Sequence, residues 1–514
     1  MKDLLASCIV AFSGLLAGAS AQLQNATSNG CPSYTGYSQA VHGPLSSGPL
    51  QLTNARPPEQ CRTFLSPGIE AVIQNMTSLL KDPDLARLFE NCFASCVDTV
   101  VQWKGNAFTG EELCFIITGD IDAMWLRDSA QSLHPYQFLV AGNEDIASIF
   151  RGTINLHSRY ITNDPYCNAF QPPVESGLTP ADSHFKGDVT PKYNNNTIWT
   201  CNFELDSLAG FLQLSYDYWL ATGDVSFFRQ ETWIQAVETV LKTMSNMMIP
   251  TYDSKTGLPN QQPYLFQSLT ESGSGTLDNN GAGEPFNGGT GLVRTPYRPS
   301  DDAAIFQLMI PSNAMLSVQL RQVSSIVSGC GGNSTLASIL NQAGTSIRNA
   351  IYQHGIMDHP VYGKVFAYEV DGFGSYNMMD DSNIPSLLSL PMLGFINESD
   401  PIYLNTRKMI LNKQSNRYYL TGPSFQGIGG PHEGPKYAWP MAVMAQILTT
   451  SNKTEISYLL ESLKTTTAQL GLMHEGINTA NVSDYTRPWF VWANGLFGQT
   501  ILNLADRFPE LLFN

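Results

Sequence analysis

The sequence predicts an all-α protein whose helix pairs close into a toroid forming a single large domain. Three observations predict it: apolar residues recur at three and four along a dozen stretches, those stretches fall mostly in successive pairs, and βαβ alternation is missing. Leu85, Leu88, Phe89, Cys92, Phe93, Cys96, Val97 and Val100 give the clearest stripe, over 84–103. The other stretches run 68–81, 129–141, 145–160, 204–221, 228–248, 311–328, 334–353, 400–413, 437–450, 454–469 and 488–506. Thr222-Gly223-Asp224 shows how they are separated, with Gly closing one helix and Asp opening the next. Helix pairs throughout exclude a doubly wound sheet or TIM barrel. An open solenoid would carry a repeat of roughly 34–47 residues, and none is seen. The interhelical loops are unequal and rich in Trp, Tyr, Asp, Gly and His, notably 105–128, 162–202, 250–302, 355–385, 420–436 and 470–488. A functional site is expected where alternate loops converge.

Taken in order, the chain opens with Met1 and Lys2, a short apolar run from Leu4 to Leu16, and the small residues Ala19, Ser20 and Ala21. This is the pattern of a secretory signal peptide over 1–21. The run is too short for a membrane anchor, and no later stretch reaches the roughly 18 apolar residues a spanning helix needs. Asn25, Asn75, Asn195, Asn333, Asn397, Asn452 and Asn481 each head an Asn-X-Ser/Thr triplet, which agrees with a secreted or secretory-pathway protein. Residues 22–64 are rich in Ser, Pro, Gly and Asn without periodicity, an extended tail with Cys31 and Cys61 placed to pin it. The helical domain is expected over 65–514. Eight cysteines remain after the leader, an even number that suggests disulfides in an oxidising compartment. Cys92 and Cys96 share a helix face and call for partners elsewhere, and Cys330 is a candidate distant partner.

Net charge is −16. Such a surface repels phosphate backbones and anionic lipid, so neither nucleic acid nor a membrane surface is expected as a partner. A neutral substrate suits it better.

Only 14% of the residues are charged, yet Asp120, Asp122, Arg127 and Asp128 crowd around Met124, Trp125 and Leu126 in TGDIDAMWLRDS. A flat apolar ring, a planar fork of donors and carboxylates are what a polyhydroxylated ligand requires. The same residues suit a plainer part, with Asp128 and Ser129 as a helix N-cap, Arg127 as its ion-pair partner and Trp125 in the core. Asp206 in NFELDSL sits among apolar residues at a helix start, where desolvation would help it keep a proton; an ordinary N-cap is the alternative. RPSDDA brings Arg298, Asp301 and Asp302 together, or is a capped turn. Asp380-Asp381 in MDDSNIPSLL suits a metal or a cap, and GIGGPHEGP sets His432 and Glu433 in what reads as a surface turn. Gln267 to Gly291 reads as a flexible rim or lid. In MHEGINTANVSDYTRPWFVWAN, Glu475 follows His474, and Arg487, Trp489 and Trp492 form an aromatic cluster too large for a surface turn.

Taken together, TGDIDAMWLRDS, ELDSL, RPSDDA with IPSNAM, YEVDGFG, MDDSNIPSLLSLP, GIGGPH and MHEG with TRPWFVWAN resemble glycoside hydrolase family 125, the metal-independent exo-α-1,6-mannosidases, from about Leu65 to the C-terminus. The resemblance implies an (α/α)6 toroid, a pocket for one terminal mannose of an oligosaccharide or glycan, inversion at the anomeric carbon, and neither cofactor nor metal. It puts the general acid on Asp206 and the general base on Glu475. It sets Arg127, Asp128, Arg298, Asp301, Asp302, Arg487 and Trp489 around the pocket; Asp120, Trp125 and His474, in the same blocks, complete the expected sugar contacts. The competing readings are another toroid glycosidase, such as a calcium-dependent α-mannosidase using Asp380-Asp381, and a secreted carbohydrate-binding protein without turnover.

Overall fold

The computed structural model describes residues 30–183, 187–269 and 275–513. The expected signal peptide over 1–21 and the start of the tail lie outside the described residues. Twelve helices of eight or more residues follow the predicted stretches closely: Pro67–Leu79, Pro83–Thr99, Leu126–Leu133, Glu144–Asn163, Leu205–Thr222, Glu231–Asn246, Ile310–Gly329, Ser334–His354, Pro401–Ile410, Pro440–Leu448, Lys453–Thr465 and Val491–Arg507. Pro at the first helical position and an N-cap carboxylate explain two sharp starts: Asp82 accepts from the N–H groups of Asp84 and Leu85, and Asp400 from those of Ile402 and Tyr403.

These helices are of two kinds. Leu126–Leu133, Ile310–Gly329, Pro440–Leu448 and Val491–Arg507 are buried nearly all round. Glu231–Asn246 and Ser334–His354 bury one stripe and give the other to solvent. The buried helices are laid side by side. Ile310–Gly329 packs on Leu205–Thr222, which packs on Leu126–Leu133, which packs on Val491–Arg507, with Pro440–Leu448 on the last one's other side. The last long helix thus packs on the first of the buried ones, and Leu80 bridges to Phe513.

The scaffold is mainly helical, but the all-α expectation omitted the loops. These carry two- and three-stranded antiparallel sheets. The predicted helix over 84–103 stops at Thr99, where β-branched and aromatic residues begin a strand, Val101–Asn106, paired with Glu112–Ile116. Where the segment expected as a rim, Gln267 to Gly291, begins, the strand Leu265–Ser268 pairs with Gly187–Thr190; residues 270–274 of that segment lie outside the described residues. Among the described residues, no helix is long and apolar enough to cross a membrane.

Residues 30–64 are mostly extended and lie on the helices. Cys31 is bonded to Cys61, and Leu52, Ala55 and Phe64 are buried. Cys167–Cys201 is the other disulfide among the described residues; Cys92, Cys96, Cys114 and Cys330 are buried free thiols, so the even count of eight does not resolve into four bonds. The tail is also anchored electrostatically. Buried Arg56 donates through Nε to Asp98 at 2.7 Å and through Nη1 to Glu70 at 3.0 Å. Arg56→Met leaves the Asp98 carboxylate, only 2% exposed, without that partner; it should lower stability by about 3–5 kcal/mol, read as a fall in melting temperature.

Candidate active site

The loops converge on a cavity of about 180 Å³, small beside the roughly 300–1,000 Å³ of drug-sized sites. Trp125, Arg127, Asp128, Asp301, Glu475 and Arg487 line it, together with His432, Glu433, Trp439, Phe490 and Trp492. Its foundation is a close backbone approach between the first and last motifs. Gly119 has φ +137°, and a Cβ there would stand 2.1 Å from the Trp489 carbonyl oxygen, so no side chain fits. The Asp120 N–H donates to Trp489 and the Val491 N–H to Thr118. Met124–Trp125 pairs with Ala169–Phe170, which pairs with Ile198–Thr200, and this small sheet turns the chain into the Leu126–Leu133 helix.

That helix carries Arg127, 3% exposed, into the centre of a ring of carboxyl groups. Nη1 donates to Glu204 at 2.6 Å and to Asp206 at 3.0 Å; Nε stands 3.2 Å from Asp128, and Nη2 4.0 Å from Asp301. The guanidinium also lies over the Trp492 ring at 5.3 Å. One cation faces four carboxyls. Burial pushes Glu204 well above the usual carboxylate range, and the neighbouring Asp301 adds to it against the pull of Arg127. Burial also raises Asp206, again against Arg127. Asp301 is held low: burial opposes this, but hydrogen bonding with Glu204 and the charge of Arg127 overcome it. The proton of the Glu204–Asp301 pair therefore rests on the deeper Glu204.

Asp301 sits at φ +64°, a strained position for a residue with a side chain, at the tip of a tight turn in which Arg298 N–H donates to Asp302 and Asp301 N–H to Arg298. Trp125 Nε1 and Asn168 Nδ2 both donate to its Oδ1, at 3.2 and 2.8 Å. On a separate loop, Glu475 accepts from Arg487 Nη1 at 3.3 Å, and Arg487 Nε donates to Asp120 at 2.7 Å. His432 stands 3.6 Å from Asp302. Burial draws its pKa down, but Asp302, Glu475 and Asp301 together lift it to about 10, so it is an imidazolium at neutral pH.

Several expectations need correction. Asp206 is not among the residues that line the cavity: its side chain is 0% exposed, with Oδ2 3.0 Å from Arg127 and Oδ1 without a hydrogen-bond partner, whereas that of Asp301 is 32% exposed and lines the space. It is not an N-cap either, since the helix begins at Leu205 with Glu204 as cap residue. Arg298 is buried on Glu369 at 2.7 Å and over the Tyr368 ring, anchoring the turn that carries Asp301. His474 is buried, stacked on Tyr485 at 3.8 Å, and desolvation lowers its pKa to about 4. Trp489 donates its indole N–H to Thr99 Oγ1 and meets Tyr34 of the tail edge-on. Asp120 and Asp302 stand one layer back, behind Arg487 and His432. Asp380 accepts from the N–H groups of Leu387 and Leu388, and burial raises it to about 8; it is a capping acid. His432 and Glu433, read as a surface turn, line the cavity instead. Glu204 was missed beside Asp206; a glutamate two residues before an aspartate at a helix start was the available signal.

Among the described residues, His432, Glu433 and Glu475 offer ligand-type atoms within 4.8 Å of one another.

A small cavity with indole faces, guanidinium donors, and carboxyls of both protonation states is the site of a carbohydrate hydrolase. The family model described as metal-independent alpha-mannosidase (GH125) matches residues 82–502. The meiotically up-regulated gene 157 protein of Schizosaccharomyces pombe is 46% identical over 482 residues, 94% of each chain. A Streptococcus pneumoniae metal-independent α-mannosidase, solved as a non-productive substrate complex with α-1,6-mannobiose, superposes with a TM-score of 0.75 at 30% identity, covering 85% of this chain and 98% of that one. A bacterial glucoamylase complexed with acarbose shares the fold alone, at TM-score 0.50 and 11% identity, over 85% of this chain and 59% of that one. The chain belongs to glycoside hydrolase family 125, the metal-independent α-mannosidases.

Arg127→Lys keeps the charge but loses the planar fork that serves several carboxyls at once. The expected result is a fall in kcat/KM of at least about 100-fold, with a stability loss of roughly 1–3 kcal/mol by thermal denaturation.

Proposed function

We propose that the protein is an inverting exo-acting α-mannosidase that removes terminal α-1,6-linked mannose from N-glycans or mannan, built on a closed (α/α)6 toroid. The observation that carries this reading is the pairing of two cavity-facing carboxyls on separate loops, each near an arginine: Asp301 4.0 Å from Arg127 and Glu475 3.3 Å from Arg487. Enclosure within about 180 Å³ suits a single terminal sugar rather than a chain passing through. The toroid is supported by the side-by-side run of buried helices, in which the last long helix of the chain, Val491–Arg507, packs on Leu126–Leu133.

In this scheme Glu475 is the general base and activates water. Asp301 is the group that protonates the leaving oxygen, with Glu204 behind it as the store of the proton; Asp206 holds Arg127 in place. Trp125 supports the apolar face of the sugar, and Arg127, Asp128 and Arg487 bind its hydroxyls. The rate requires Glu475 ionised and the Glu204–Asp301 pair protonated, so it rises and then falls with pH. Residues 65–514 form the catalytic unit, preceded by the 22–64 tail and a cleaved 1–21 leader. Secretory-pathway residence is supported by two disulfides and seven glycosylation triplets.

On α-1,6-mannobiose, Asp301→Asn and Glu475→Gln should each lower kcat by ~10²–10⁴-fold. On an aryl mannoside with a good leaving group, Asp301→Asn should recover and Glu475→Gln should not. Recovery of Asp206→Asn instead of Asp301→Asn would return the donor to Asp206. Inversion requires room for water, with carboxyls roughly 6.5–9.5 Å apart. Proton NMR before mutarotation should then show β-mannose first; α-mannose first would reject the mechanism.

A further inference from the structure

The scheme above leaves Glu433 and Trp439 without a part, although both line the cavity. Glu433 and Glu475 bring carboxylate oxygens within 4.8 Å of each other and of a His432 ring nitrogen. Arg487 holds one oxygen of Glu475, while the other, Oε2, is buried with no protein partner. The Trp439 indole N–H, on a side chain 1% exposed, is also buried without one. An orphaned acceptor and an orphaned donor beside the same cavity mark the place of a ligand oxygen.

We propose that Glu433 is a positioning residue for hydrolysis, acting through Glu475: as a neutral acid it donates a hydrogen bond to that carboxylate and holds it aimed at the water beside Trp439. The inference rests on reading Glu475 as the base. Two carboxylates this close cannot both ionise cheaply. The surrounding charges do not relieve the pair fully. His432 of the same segment is shared with Asp302 and Asp301, Lys436 turns away to Asp484, and Arg487 is divided between Glu475 and Asp120. Burial and then Glu475 itself raise the Glu433 carboxyl to about 7, with His432 and Thr486 pulling the other way. Below that pH Glu433 is a donor. Above it, a second negative charge faces the base and the hydrogen bond is lost.

The test is kcat against pH on an activated aryl α-mannoside, where the leaving group needs little protonation and the donor limb drops out. Wild type should lose about fivefold between about pH 7 and 8, as one group titrating near 7 gives up its proton. Glu433→Gln cannot ionise but still donates, so its profile should stay flat there. At about pH 6, Glu433→Ala should lower kcat about tenfold with KM within about twofold, and Glu433→Gln should restore most of that loss. Identical limbs in wild type and Glu433→Gln, equal losses for Ala and Gln, or a change in KM alone would each overturn the proposal. A Glu433→Gln loss as deep as that of Glu475→Gln would also overturn it, by making Glu433 the base. Full activity in Glu475→Gln would instead reject the underlying assignment.

Discussion

Arg127 is the charge on which the site depends. It is buried at the head of a helix whose every residue is buried, and the carboxyls of Asp128, Glu204, Asp206 and Asp301 are gathered around it. Burying one cation with four carboxyls is affordable only if they are not all ionised, since each uncompensated charge costs several kcal/mol. The fold meets this by burying Glu204, whose carboxyl is pushed well above the usual range, and by leaving Asp301 partly open to the cavity. The same electrostatic constraint therefore keeps a proton on the Glu204–Asp301 pair, one member of which lines the cavity. Asp206 meets the guanidinium through one oxygen, while its other oxygen is buried without a partner.

The second constraint is mechanical. The motif near Gly119 and the motif near Trp489 lie far apart in sequence, and they meet backbone to backbone with no room for a Cβ. This contact draws the last helix against the first buried one. Arg487, two residues before Trp489, sits at φ +40°, and Asp301 in its own turn at φ +64°. Strained backbone at both cavity carriers is tolerated because the surroundings over-determine it: Arg298 on Glu369 fixes one turn, and Trp489 on Thr99 and Tyr34 fixes the other. Arg298 and Trp489, expected to touch sugar, are here supports of residues that face the cavity.

The sequence by itself determined the helical scaffold, because a 3.6-residue stripe is a local property of each stretch and needs no knowledge of its neighbours. It also determined which loops carry the site, since Trp, Arg and Asp concentrated in a chain of low charge have little other use. Cys31–Cys61 was legible for the same reason, as two cysteines bracketing an aperiodic tail. The tertiary structure alone decided which carboxyl faces the cavity. In ELDSL and RPSDDA the candidates differ by one or two positions, and a helix or a tight turn sends such neighbours in different directions. It also decided that Arg298, His474 and Trp489 are buttresses, that His432 and Glu433 are lining, and that four cysteines stay reduced. Each of these depends on what packs against a side chain from distant sequence, and on the protonation that burial imposes there.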